Sequence, residues 1–140
     1  MTDDRPFLKH AIPRLLDTVA GEHSLGHQPS KAVRCIFTSR DGTLVEIMFQ
    51  KDEGSPPNIW CHAGAAGEAL IAPMSPRRSP ASGLWTKRGK DGKPRYERHS
   101  ALEDMPQLGD ADLVRFTPEN LAQVGQIIDR LRGVTASDLS

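Results

Sequence analysis

Basic and aromatic side chains are concentrated in one segment of the chain, SGLWTKRGKDGKPRYERHS at residues 82–100. Lysine and arginine neutralise phosphate groups, and an aromatic ring offers a stacking surface to an unpaired base. A hairpin turn centred on Asp91-Gly92 would bring the rings of Trp85 and Tyr96 near each other. Together with the arginines of SPRRSP just before it, the segment predicts a nucleic-acid-binding surface. Its candidate residues are Arg77, Arg78, Trp85, Lys87, Arg88, Lys90, Lys93, Arg95, Tyr96 and Arg98.

A charged triplet at the end of this segment suggests a second chemistry. Arg95, Glu97 and His99 occupy alternate positions, which on a β-strand lie on one face. A carboxylate and an imidazole that move protons beside arginines could serve a metal-independent ribonuclease. The simpler interpretation is an ion pair between Glu97 and an arginine of a neighbouring strand. We therefore expect no catalysis, and His99 and Glu97 are the only catalytic candidates.

Charge is unevenly distributed, although the whole chain has a formal net charge of +0. Residues 77–99 contain eight cationic and two acidic side chains, whereas residues 103–119 contain five acidic side chains and one arginine. A neutral molecule exerts little long-range attraction on nucleic acid or on an anionic membrane. The two segments could instead attract each other across the fold, with Trp85 and Tyr96 facing the core. In that alternative the basic segment is only a solvated surface.

Several classes of protein are disfavoured by what the sequence lacks. It has no Gly-rich phosphate loop, no HExxH motif and no GxSxG motif. Cys35 and Cys61 lie far apart without metal-ligand spacing, which indicates buried thiols in a reducing compartment. The chain contains no long apolar run, and MTDDRPFLKH lacks the basic start and apolar stretch of a secretory signal, so we expect no leader. We therefore expect a cytoplasmic protein without a metal, a cofactor or a membrane partner.

The elements that must position these residues begin with the clearest local pattern, KAVRCIFTSRDGTLVEIMFQ at residues 31–50. Two alternating apolar runs flank a turn sequence, which predicts a β-hairpin. A three-residue loop with Gly42 in the left-handed bulge position makes one face wholly apolar, whereas a two-residue turn does not. The expected cross-strand pairs are Val33 with Phe49, Cys35 with Ile47, and Phe37 with Val45.

Helices are predicted at both ends of the chain. Apolar residues recur at helical spacing over residues 7–21, where Pro13 either kinks the helix or lies in its first turn. Near the C-terminus, TPENLAQVGQIIDRLRG predicts a helix with Thr117 as its N-cap and Gly133 at its end. Between them, SALED predicts one helical turn with Ser100 as its N-cap.

The remaining pattern completes a single domain of residues 1–140. NIWCHA, GLWTK, RYERH and DLVRF predict further short strands. Residues 63–82, AGAAGEALIAPMSPRRSPAS, contain many small residues and three prolines, and predict one long irregular loop. We expect an α+β fold, with a mostly antiparallel sheet of about five to six strands and the N- and C-terminal helices packed on one face.

Three functions compete on this sequence. The first is a small non-catalytic binding protein whose basic hairpin engages an anionic partner, most simply nucleic acid. The second is a protein-interaction or assembly module, which could be a homodimer, that uses residues 103–112 or residues 63–82. The third is the ribonuclease centred on His99 and Glu97.

Overall fold

A computed structural model describes residues 5–140, which form three α-helices and a six-stranded sheet. The helices are α1 (Arg5–Val19), α2 (Ala63–Met74) and α3 (Leu121–Arg132). The strands are β1 (Gly21–Glu22), β2 (Ala32–Thr38), β3 (Leu44–Gln50), β4 (Asn58–His62), β5 (Arg77–Ser79) and β6 (Leu113–Phe116). All neighbouring strands are antiparallel, in the order β1-β2-β3-β4-β6-β5, which confirms the predicted α+β class. Among residues 5–140, none of the helices has the length and apolar composition that a membrane-spanning segment requires.

The β2–β3 hairpin has the predicted register. All three expected cross-strand pairs are present, Cys35 with Ile47 among them. The three-residue loop closes with a hydrogen bond of 2.8 Å from the Ser39 N–H to the Thr43 carbonyl, and Gly42 has the left-handed φ of +89° that the bulge requires. The wholly apolar face predicted from this register is buried.

All three helices pack on this apolar face. Ile12 and Leu16 of α1 and Ile127 of α3 are buried in one cluster with the phenylalanines of the hairpin, such as Phe37 and Phe49. The prediction that the terminal helices cover one face is therefore confirmed, and α2 packs beside them. Burial of each such side chain stabilises the fold by about 1.5–3 kcal/mol.

The opposite face of the sheet is covered by residues 100–111, hereafter the second layer. Leu102, Met105 and Leu108 of this layer pack against Met48 and Trp60. The layer is held to the sheet by Glu46, whose Oε1 accepts hydrogen bonds from two backbone N–H groups of the layer at 2.7 Å and 3.1 Å. Trp60 therefore lies beneath a structured cover instead of facing open solvent.

A buried histidine completes the environment of Glu46. Oε2 of Glu46 contacts Nε2 of His23, and Nδ1 of the His23 ring accepts a hydrogen bond of 3.1 Å from the Leu25 N–H. Because Nδ1 accepts a hydrogen bond, Nε2 carries the ring proton and donates a hydrogen bond to the Glu46 carboxylate. The buried acid is thus fully satisfied by protein groups.

The prediction of one long irregular loop over residues 63–82 was wrong. The segment contains α2, β5 and a 3-10 turn at Ala81–Gly83. The His62 ring caps α2, since its Nδ1 accepts a hydrogen bond of 3.0 Å from the Gly64 N–H. Glycine and proline break isolated helices, but here Gly67, with a φ of +65°, only kinks a helix whose alanines favour helical backbone.

The predicted second hairpin, from GLWTK to RYERH, contains no strand. Only an isolated bridge between Arg88 and Pro94 surrounds the expected turn at Asp91-Gly92, where the glycine has a φ of +79°. Pro94 has no N–H group to donate, and Trp85 has a left-handed φ of +62°. Neither residue can continue a ladder, so this segment forms a tight turn within irregular chain.

The helix ends differ from the predicted ones in detail. Pro13 lies inside α1, so the helix does not begin at the proline. α3 is capped by Asn120, whose Oδ1 accepts a hydrogen bond of 2.9 Å from a backbone N–H of the first turn. The predicted cap Thr117 instead donates its hydroxyl to Asn58 at 2.6 Å. Gly133 follows the last turn, as predicted.

Candidate anion-binding cleft

Three side chains form a row across β4, β6 and β5. In the antiparallel ladders Trp60 is the partner of Arg115, and Arg115 is the partner of Arg77. Cross-strand partners lie on the same face, which here is the face that carries the second layer. Two arginines are therefore placed directly opposite each other, an arrangement that is unfavourable without a counter-charge.

Arg115 is the most constrained member of this row. Its guanidinium lies over the Trp60 ring, with the central carbon 5.7 Å from the ring centroid. Its Nε is buried and has no hydrogen-bond partner among residues 5–140. Burial, and then the nearby charge of Arg77, lowers the pKa of Arg115 from its usual value. Both causes disfavour a positive charge here, and the opposite charge of a bound anion would offset them.

A cleft with a volume of about 370 Å³ opens above the row. Four arginines and a single glutamate line it, together with residues of the chain that follows β5. No ion pair within 4.0 Å involves any of these arginines in residues 5–140. The lining residues are Trp60, Arg77, Arg78, Ser79, Pro80, Gly83, Leu84, Glu97, Arg98 and Arg115.

Arg98, one of the residues predicted to contact nucleic acid, forms one wall of the cleft. It donates to Oγ of Ser79 at 2.9 Å and to the Ser79 carbonyl at 2.7 Å. Its other hydrogen bonds reach the carbonyls of Leu108, Gly109 and Ala111 at 3.2, 3.2 and 2.6 Å. All three guanidinium nitrogens are engaged, so Arg98 ties β5 to the second layer and holds the cleft in shape.

Trp85 and Tyr96 lie together, as the turn predicted, but in different environments. Their ring centroids are 5.4 Å apart and the rings are tilted by 53°. Tyr96 packs against the second layer, and its hydroxyl donates to the Gly109 carbonyl at 2.8 Å. Trp85 is 44% exposed and directly follows Leu84, which lines the cleft. Tyr96 therefore packs against the protein interior, as the alternative predicted for both rings, whereas Trp85 does not.

The other predicted cations surround the tight turn and are exposed. Arg88 donates to the Gly92 carbonyl at 2.8 Å, which stabilises the turn. None of these side chains forms an ion pair with a carboxylate of the described chain. They extend the positive surface outward from the cleft, and they are Lys87, Arg88, Lys90, Lys93 and Arg95.

The structure does not bring the two catalytic candidates into one site. Glu97 lines the cleft, whereas His99 caps the 3-10 turn at Ser100–Leu102, in place of the predicted cap. The His99 Nδ1 accepts a hydrogen bond of 3.1 Å from the Ala101 N–H, and its Nε2 lies 3.2 Å from Oδ1 of Asp52. Both ring nitrogens are therefore occupied by structural contacts, which leaves no free nitrogen to accept a proton from a substrate.

The acidic segment does not neutralise the basic one. Glu103, Asp104 and Asp110 are exposed, and no ion pair of the described chain joins residues 103–119 to residues 77–99. Arg98 binds backbone carbonyls of residues 108–111, and the one carboxylate contact between the segments in the described chain is a hydrogen bond of 2.7 Å from the Ala81 N–H to Oδ1 of Asp112, which involves no cation. Both charged surfaces consequently remain available to external partners.

Two members of the row across the sheet, Trp60 and Arg115, were not predicted from the sequence. A charged residue inside the apolar run DLVRF was the available signal, because arginine is seldom placed in a central strand without a function for its charge. Their proximity to Arg77 depends on the pairing of β6 with both β4 and β5, which no local pattern specifies.

Comparisons with protein-family models, with curated proteins and with solved structures find no significant match to this chain.

Proposed function

We propose that this protein is a small non-catalytic module that binds single-stranded nucleic acid. The observation that carries the proposal is the cleft, in which four arginines share one cavity without an ion-pair partner in the described chain. Guanidinium groups bind phosphate oxygens in bidentate geometry, and a partly desolvated cluster of them is most favourable when an anion completes it. Phosphate groups are the anions that nucleic acid presents.

The surroundings of the cleft support a single strand as the ligand. The Trp85 ring contacts Tyr96 and is partly exposed, so part of its surface is accessible to a base. Stacking on such a ring requires an unpaired base and tolerates any sequence. The exposed cations around the tight turn extend the positive surface along which a phosphate backbone could run. Both cysteines are free and buried, which supports the proposed cytoplasmic location.

Fluorescence polarisation with short labelled oligonucleotides, single-stranded and duplex, tests this proposal. We expect the single strand to bind more tightly and its affinity to fall with salt, with a log–log slope of about −0.7 for each phosphate contacted. Trp85→Ala should weaken binding about ten-fold through loss of one stacked base. Phe7→Ala is the matched control, because Phe7 is an exposed aromatic residue of α1 outside the cleft. No binding of either oligonucleotide at low salt would refute the proposal.

We propose association with a charged protein as a second candidate, a second copy of this chain being the simplest case. Its support is the exposed acidic group of Glu103, Asp104 and Asp110, which has no ion-pair partner in the basic segment of the described chain. Acidic and basic surfaces on one molecule are self-complementary between copies. Sedimentation at low and high salt should then show a dimer that dissociates as salt rises. A monomer under both conditions contradicts self-association.

A further inference from the structure

We infer that the cleft receives a terminal phosphomonoester, the group found at the end of a nucleic-acid strand or on a free nucleotide. This inference rests on the proposed function, because it names the part of a nucleic acid that the cleft holds. The volume of about 370 Å³ is near the lower end of the range, roughly 300–1,000 Å³, for sites that enclose a small ligand. Such a space suits one end group with its sugar better than several consecutive nucleotides.

The charge of the cleft favours a phosphomonoester over a phosphodiester. Arg77 and Arg115 face each other across the β5–β6 ladder, and the lining contains a single carboxylate. A terminal phosphate carries a charge of about −1.5 to −2 near pH 7 and three acceptor oxygens. An internal phosphodiester has one negative charge and only two unbridged oxygens. The additional oxygen and charge allow one group to serve both arginines at once.

The other charged residues of the cleft fit the same occupant. Arg98 has its nitrogens engaged by protein oxygens. Arg78 is the partner of Val114, which lies on the face that the helices cover, so Arg77 and Arg115 are the arginines that hold the phosphate. Glu97 lines the cleft with no ion pair in the described chain. A carboxylate accepts hydrogen bonds, and a sugar hydroxyl or a base amino group beside the phosphate supplies the donor.

The backbone at Trp85 supports a base next to the phosphate. Its φ of +62° is rare for a bulky residue and persists only where the surroundings hold it. At this position the chain turns so that Leu84 is buried at the cleft while Trp85 is exposed on Tyr96. Because Leu84 lines the cleft and Trp85 directly follows it, a base stacked on Trp85 would lie beside the cleft that holds the phosphate.

Competition binding with one oligonucleotide in three forms tests the inference: 5′-phosphorylated, 3′-phosphorylated and hydroxyl at both ends. We expect one phosphorylated form to bind about ten-fold more tightly than the hydroxyl form. Arg77→Gln should abolish this preference, because the terminal phosphate loses one of its two arginines, and it should weaken the phosphorylated form more than the hydroxyl form. Arg77 is exposed on an edge strand, so the fold should be retained. Arg115→Gln should act in the same way, with circular dichroism as the check on folding.

Lys90→Gln is the matched control, because Lys90 is an exposed cation of the tight turn that does not line the cleft. It should weaken all three forms by the same factor and leave the preference unchanged. Equal binding of the three forms by the wild-type protein overturns the inference but leaves the proposed function standing. Absence of binding at low salt overturns both. Competition by adenosine 5′-monophosphate as strong as that of the phosphorylated strand supports the site and identifies a free nucleotide as its occupant.

Discussion

Replacing Arg98 with lysine separates a structural role for this residue from a role in holding phosphate. The guanidinium donates five hydrogen bonds, two to Ser79 of β5 and three to carbonyls of residues 108–111. Lysine keeps the positive charge at the cleft wall but loses the planar fork that reaches both segments. If only the positive charge of Arg98 contributed to stability, Arg98→Lys would leave the free energy of unfolding nearly unchanged.

The expected cost follows from the number of hydrogen bonds lost. A lysine ammonium has three donors on one atom, so at least two of the five acceptors lose their partner. Each hydrogen bond contributes about 0.5–1.5 kcal/mol net, which gives a loss of about 2 kcal/mol in the free energy of unfolding. For a chain of this length, that corresponds to a decrease in Tm of about 7 °C.

Urea unfolding followed by tryptophan fluorescence measures this free energy, and Arg95→Lys provides the matched control. Arg95 is exposed and makes no side-chain hydrogen bond to the described chain, so its replacement should change stability by less than about 0.5 kcal/mol. An Arg98→Lys protein as stable as Arg95→Lys would show that the five contacts do not form in solution. The assignment of Arg98 as the wall of the cleft would then be wrong.

Two further predictions concern stability. Burial raises the pKa of Cys35 to about 11 and of Cys61 to about 12, so protons leave the thiols on unfolding at alkaline pH. The free energy of unfolding should therefore fall above about pH 8.5, by up to about 1.4 kcal/mol per thiol per pH unit, in urea titrations at increasing pH. A Cys35→Ala/Cys61→Ala double variant should lose most of this dependence, and a wild-type protein that keeps its full stability at about pH 10 contradicts it. Gly109→Ala should cost about 2 kcal/mol in the same assay, because the new Cβ would lie 2.8 Å and 2.9 Å from two backbone carbonyl oxygens. Gly125→Ala, with open space at its Cβ position on α3, is its control and should not destabilise the protein.

The parts of the fold that the sequence predicted are those specified by local patterns. The β2–β3 register follows from strict alternation, since a shift by one residue would move Phe37 and Phe49 away from the core. The terminal helices follow from apolar residues at helical spacing. The α2 segment was not predictable in this way, because its glycines act against helix in isolation and only packing against its neighbours compensates.

The cleft was only partly predictable, because its two halves come from distant parts of the chain. Arg77, Arg78 and Arg98 belong to the segment whose composition predicted an anion site, while Trp60 and Arg115 lie on β4 and β6. Local pattern identified the basic chemistry, but it predicted a hairpin where the structure has a tight turn within irregular chain. In the structure, residues that follow β5 lie beside the strands β5 and β6, and together they form the cleft.

The zero net charge of the chain therefore does not argue against an anionic ligand. Charges interact over roughly the Debye length, about 8 Å at physiological salt, so a ligand in the cleft responds to the groups that line it. Those groups are four arginines and one glutamate, and the exposed acidic group of Glu103, Asp104 and Asp110 forms no ion pair with them in the described chain. Overall neutrality instead weakens long-range steering, so association should be slower than for a strongly basic protein while the bound state retains its local charge complementarity.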